Sequence, residues 1–135
     1  MFKKVAHIGI AVKNLKEATE VFRDLFRTKE SSVESVSSEG VNTASFTIGE
    51  TRIELVESRD ASSAIARFME KRGEGIHHLC FEVDHLEKEL ARLRKKGFRV
   101  LEGYPRVGAD GFRVAFLHPK TTNDVLVELN QKTTE

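Results

Sequence analysis

His7-Ile8-Gly9-Ile10-Ala11-Val12, followed by Asn14 and Leu15-Lys16-Glu17-Ala18, returns in the second half of the chain as His78-Leu79-Cys80-Phe81-Glu82-Val83, followed by Asp84-His85 and Leu86-Glu87-Lys88-Glu89. Each copy is a β-rich run that leads into a polar residue with glutamate three positions on, Asn14/Glu17 and Asp84/Glu87, which is the spacing of a capping box at a helix start. The helical patterns that follow set Leu15, Ala18, Phe22 and Leu25 on one face, and Leu86, Leu90 and Leu93 on another. Gly97 stands where a helix C-terminus favours glycine.

After each helix the strand pattern resumes. Strands are predicted over roughly 29–37, 42–48 and 51–57 in the first half, the last two joined by a Gly49-Glu50 turn, and over roughly 98–103, 112–118 and 124–130 in the second. Each half therefore reads strand–helix–strand–strand–strand. Between them, 62–72 reads as a connecting helix with Ile65, Phe68 and Met69 on one side and Gly73 beyond its end. The expected product is one α+β domain over 1–135: a module over about 3–58, a linker helix over about 61–73 and a second module over about 74–131. A repeat of this length present only twice is a duplicated module and not a solenoid.

Composition permits this. The 135 residues suit one domain, and 39% hydrophobic against 32% charged residues is a globular balance. With 22 basic and 21 acidic side chains the net charge is +1, which builds no basic footprint for nucleic acid. The apolar run at the start is too short for a membrane span, and the lone Cys80 excludes an internal disulfide; a cytoplasmic location is expected.

Strand parity then selects residues for chemistry, because alternate side chains face opposite sides of a strand. Ile8, Ile10 and Val12 make the bulky row, leaving His7, Gly9 and Ala11 opposite; Leu79, Phe81 and Val83 make the matching row, leaving His78, Cys80 and Glu82. Parity thus pairs His7 with His78, while His77 falls among the packed residues. Ile53 and Leu55 leave Glu54 on the opposite face, and Val125, Val127 and Leu129 do the same for Glu128. A glutamate inside an apolar strand is costly to bury unless it is paired or bound to a cation. Two imidazoles and two carboxylates, one of each per repeat, suit a single divalent ion with two coordination positions open. The donors suit cobalt, nickel, zinc, manganese or iron, and affinity order alone does not choose among them.

Lys120, Arg113 and Arg106 are candidates for contacts to an anionic substrate. His118, before a proline, reads as a turn residue or a lining residue; Arg92-Leu93-Arg94-Lys95-Lys96 reads as a solvated helix face; Gly108-Ala109-Asp110-Gly111 reads as a flap; Cys80 reads as a small buried residue.

The constellation resembles the vicinal-oxygen-chelate superfamily, whose paired βαβββ modules form a metal-lined cleft, and within it the methylmalonyl-CoA epimerases. The matching segments are Val5-Ala6-His7-Ile8-Gly9-Ile10-Ala11-Val12, Gly49-Glu50-Thr51-Arg52-Ile53-Glu54-Leu55, Gly73-Glu74-Gly75-Ile76-His77-His78, Pro105-Arg106-Val107-Gly108-Ala109-Asp110-Gly111, and Val114-Ala115-Phe116-Leu117-His118-Pro119-Lys120 with Val125-Leu126-Val127-Glu128-Leu129. The resemblance implies interconversion of the 2R and 2S forms of an acyl-CoA substrate through an enolate, with His7, Glu54, His78 and Glu128 as metal ligands. It implies Glu128 as one proton-transferring group and leaves the second open, Glu54 being one candidate. It also implies a homodimer. Some such epimerases carry a further glutamate on the third strand, where this chain has Val41-Asn42-Thr43-Ala44-Ser45-Phe46, and a glycine pair is more usual where it has Asn123-Asp124. The alternatives are a glyoxalase I-type lactoylglutathione lyase, an extradiol-type dioxygenase, against which Glu54 as a fourth ligand argues, and a non-catalytic small-molecule-binding protein of the same superfamily.

Overall fold

Asn14 starts the first helix as its spacing predicts: its side-chain oxygen accepts from the Glu17 N–H at 2.9 Å. The computed structural model describes residues 1–108 and 111–133. The chain divides into two compact units, one spanning His7–His77 and the other combining Met1–Ala6 with His78 onward.

In the first unit, β1 (Phe2–Ala11, counted here from His7), α1 (Leu15–Phe26), β2 (Ser32–Val36), β3 (Val41–Ile48), β4 (Thr51–Ser58) and α2 (Ala64–Arg72) follow in order. The strands run β2-β3-β4-β1, with β4 and β1 parallel and the rest antiparallel. The β3–β4 hairpin closes in two residues because Gly49 adopts a φ of 61° without steric penalty. Val12, Phe46 and Leu55 form the core on one face, packed with Ile10, Ile53, Leu15, Ala18, Phe22 and Phe26. Leu25 is a correction to the predicted face: it is 66% exposed, and Phe26, one turn beyond Phe22, takes the inward place. The opposite face buries Ala11, Val41, Val56 and Ile65 against Phe68 and Met69. Ser63 caps α2 by accepting from the Ala66 N–H at 3.0 Å.

In the second unit, β5 (Gly75–Val83, counted here from His78), α3 (Leu86–Lys95), β6 (Arg106–Val107), β7 (Phe112–Leu117) and β8 (Val127–Lys132) give the strand order β5-β8-β7-β6, with β5 and β8 parallel. Residues before His7 belong to this unit, and the Asp84 N–H donates to the Met1 carbonyl at 3.1 Å. Val83, Leu86, Leu90, Leu93, Ala115, Leu117 and Leu129 are its buried core.

Three expectations are corrected here. Asp84 does not cap α3: His85 is the N-cap residue with no side-chain bond, and the Leu86 N–H donates to Gln131 Oε1 at 2.7 Å. The first unit uses the same device, with the Leu15 N–H donating to Glu57 Oε2 at 2.8 Å. The predicted strand over 98–103 is a single bridge between Val100 and Leu117, and the short strand comes later, at Arg106–Val107. Phe98 and Val100 pack on the core, and the segment pairs with the sheet at one position only, so the apolar alternation here reports burial more than strand length. The last strand starts at Val127 and not 124, because Asn123 and Asp124 both take positive φ, 56° and 65°, and turn the chain; Val125 is left 41% exposed. Those two conformations are ones that glycine adopts most readily.

Candidate functional site

The row of β4 that faces away from Ile53 and Leu55 carries Arg52, Glu54 and Val56. In the parallel register His7 lies beside Arg52, and Gly9 beside Glu54, so no side chain of β1 screens the glutamate. His7 is 6% exposed, and its Nε2 lies 4.0 Å from Glu54 Oε1. Across the hairpin Glu54 faces Ser45, itself buried. The first unit therefore presents one imidazole and one carboxylate on the face opposite its α1 core.

Arg52 completes this group, and its role was not foreseen from sequence. Its Nη2 sits 3.2 Å from His7 Nδ1 and its Nη1 4.0 Å from Glu54 Oε2. The signal was present: Arg52 shares its parity with Glu54 two residues on.

The second unit repeats the pair. His78 Nε2 lies 3.5 Å from Glu128 Oε1, and the two residues are 8% and 9% exposed. Glu128 sits beside Cys80 in the β5–β8 ladder and opposite Phe116 in β7, with Leu129 turned into the core. Cys80 is fully buried, and its Sγ lies within 4.8 Å of a Glu128 carboxylate oxygen. The parity argument thus places each histidine with the glutamate of its own unit.

An aromatic wall adjoins this second pair. The His78 ring meets Phe116 edge-on, at a centroid distance of 6.2 Å, and Phe116 meets Tyr104 at 5.2 Å. Arg106 lies over Tyr104 at 4.5 Å and donates to its hydroxyl at 2.8 Å. Arg113 lies elsewhere: it belongs to the row of β7 opposite Phe116 and donates to Glu87 on α3. Lys120 is exposed in the turn Pro119–Thr121, where its N–H donates to His118 Nδ1 at 3.1 Å. His118 is thereby a cap of that turn. His77 packs edge-on to Phe68 of α2 at 4.9 Å, as its parity predicted for a packed histidine. Of the expected flap, Ala109 and Asp110 lie outside the described residues. Among the described residues, no helix is long and apolar enough to cross a membrane.

The ethylmalonyl-CoA/methylmalonyl-CoA epimerase of Cereibacter sphaeroides is 38% identical over 133 residues, covering 97% of this chain and 99% of that protein. The mitochondrial methylmalonyl-CoA epimerase of Mus musculus is 36% identical over 95% of this chain and 72% of its own length. Among solved structures, a methylmalonyl-CoA epimerase in complex with methylmalonyl-CoA and ammonium superposes with a TM-score of 0.91 at 33% identity, covering 99% of this chain and 97% of that one. The α+β architecture matches those structures. The family model for the glyoxalase/bleomycin resistance protein/dioxygenase superfamily matches residues 6–116, and the chain belongs to that superfamily.

Proposed function

We propose that this protein is a methylmalonyl-CoA epimerase, an isomerase that removes the C2 proton of methylmalonyl-CoA and returns a proton to either face. The observation that carries this reading is the histidine–glutamate pair found once in each unit, His7 with Glu54 and His78 with Glu128, on the row turned away from the core. The epimerases of similar sequence and fold support the substrate.

In this reading the chain forms one domain and the two pairs together hold one divalent ion. The donor set fits such an ion: two imidazole nitrogens and two carboxylates, mostly buried, suit cobalt, nickel, manganese or zinc. When bound, the ion supplies positive charge beside the thioester and carboxylate oxygens on which charge develops as C2 loses its proton. Glu128 is the proton-transferring group. Its carboxylate lies 3.5 Å from His78 Nε2 and is mostly buried, which shields it from bulk water. Glu54, 20% exposed at its side chain, is the candidate for the opposite face. Phe116 and Tyr104 keep water from the acyl group, and Arg106 and Lys120 are the candidates to meet the CoA phosphates. The protein acts in the cytoplasm as a homodimer in this reading.

The test is proton exchange at C2 of methylmalonyl-CoA in heavy water, followed by NMR, for cobalt-loaded protein, chelator-treated protein and a no-enzyme control. Exchange well above the control that disappears with chelator is the expected result. Folded, metal-loaded protein at the background rate would overturn the proposal, and a glutathione hemithioacetal turned over instead would assign the glyoxalase reading.

A further inference from the structure

Asn130 in β8 is 5% exposed, and its Oδ1 is buried with no hydrogen-bond partner among the described residues. Most buried side-chain polar atoms are met by a partner, because one left unmet costs free energy. Strand parity shows which way the group points. Leu129 enters the α3 core and Gln131 accepts from the Leu86 N–H, so both turn to the helix side. Asn130 therefore shares the opposite face with Glu128.

The strand register places its neighbours on that face. Asn130 lies beside Glu82 of β5 and Val114 of β7. Glu82 is an acceptor whose carboxylate is paired with Lys3 at 3.3 Å and Lys4 at 3.9 Å, and Val114 offers only methyls, so neither gives Oδ1 a proton. This row lies next to the one that carries Cys80, Glu128 and Phe116, two residues along each strand, a step of about 6.7 Å. What Oδ1 calls for is an N–H or O–H donor arriving on the face of Glu128, one row away.

An acyl-CoA carries such a donor. Five bonds separate C2 of the acyl group from the first amide nitrogen of the pantetheine arm, and in extended form they span about the same distance as one row. With C2 beside Glu128, that amide falls within reach of Asn130, and the Val114 methyls adjoin the methylenes of the arm. A half-turn of the carboxamide exchanges oxygen and nitrogen at nearly equal shape, so Oδ1 meets a donor entering from the open side.

We propose that Asn130 is a substrate-binding residue whose carboxamide oxygen accepts the pantetheine amide N–H nearest the thioester sulfur. It thereby directs the arm away from Glu128 along the face of the second unit. The proposal rests on the epimerase reading above and adds a contact outside the histidine–glutamate pairs.

The test uses two short methylmalonyl thioesters in the C2 exchange assay. One is the thioester of N-acetylcysteamine, which keeps the amide N–H; the other is the thioester of 2-mercaptoethyl acetate, in which an ester oxygen replaces it. Loss of one neutral hydrogen bond predicts that wild type handles the ester with kcat/KM roughly three- to tenfold lower than the amide. Asn130→Leu keeps the side chain's size and should treat the two alike, with the KM for methylmalonyl-CoA raised by a similar factor and kcat within about twofold. Its urea midpoint should be no lower than that of wild type, since an unpaired buried polar atom is removed. Equal use of amide and ester by wild type overturns the proposal without reference to any variant. So does a preference for the amide that survives in Asn130→Leu, or a midpoint lowered while the preference is kept, which would mark a carboxamide serving the fold alone. Either result leaves the epimerase reading intact, whereas wild type without exchange on methylmalonyl-CoA overturns both.

Discussion

Replacing Glu128 by glutamine keeps the side chain's shape and removes its charge, and the two states of the protein should respond in opposite directions. Glu128 is 9% exposed, beside a fully buried Cys80 and 3.5 Å from His78 Nε2. A carboxylate this deeply buried is poorly solvated, and removing its charge relieves a desolvation cost of about 1–3 kcal/mol. Metal-free Glu128→Gln is therefore expected to be at least as stable as metal-free wild type. With cobalt at a hundred times its dissociation constant, wild type gains about 2.7 kcal/mol by mass action. If losing one of four ligands weakens binding roughly a hundredfold, the variant gains only about 0.4 kcal/mol at the same cobalt concentration. The difference, about 2 kcal/mol, corresponds to a gap of about 6–10 °C in the cobalt-induced rise of Tm for a chain of this size. Urea unfolding of both proteins, with cobalt and with chelator, reads the four values directly. Equal cobalt-induced shifts in the two proteins would refute the reasoning, as would a metal-free variant markedly less stable than wild type.

The remaining predictions concern the scaffold. Leu129 is fully buried among Leu86, Leu90 and Leu93, so Leu129→Ala should cost about 3–4 kcal/mol, seen as a lower urea midpoint with an unchanged slope; a loss under about 1 kcal/mol would contradict this packing. Arg27 ends α1 in the left-handed region, φ 59° and ψ 37°, so Arg27→Gly should raise stability by about 0.5 kcal/mol after allowing for glycine's freer unfolded chain. Arg27→Ala keeps the Cβ strain and should show no such gain. Arg23 donates two hydrogen bonds of 2.7 Å to Glu30 and, with the Glu30 backbone contact next in importance, holds that carboxyl down at about 2. Because the folded value is depressed, the pair's contribution is present above the ordinary carboxylate range and is lost as pH falls towards that value. The stability difference between wild type and Glu30→Gln should accordingly shrink from neutral pH to about pH 3.

Much of the site was legible because alternation in a strand is strict. Ile53 and Leu55 enter one core, which forces Glu54 to the other face, and Leu129 does the same for Glu128. The histidines follow by the same rule. Helix α3 presents Leu86, Leu90 and Leu93 as their spacing predicts, and Asn14 caps α1 because its neighbours are local in sequence. What could not be read depends on partners distant in the chain. The start of α3 is satisfied by Gln131, forty-five positions beyond Leu86, and no local pattern announces that bond. The segment around Phe98 and Val100 has strand-like residues, yet it forms only one bridge while still packing on the core. Leu25 and Phe26 are both apolar, and only the direction of the helix against Phe46 decides which is buried. Arg52 went unremarked because an arginine two places from a glutamate ordinarily reads as a cross-strand surface pair.

The central claim is that one divalent ion is held jointly by His7, Glu54, His78 and Glu128. The most direct measurement is a crystal structure of the cobalt-loaded protein with anomalous data collected on both sides of the cobalt edge. The account predicts a single strong anomalous peak at about 2.0–2.2 Å from a nitrogen of each histidine and a carboxylate oxygen of each glutamate. A peak ligated by other residues, or none in crystals grown with cobalt in excess, would contradict it.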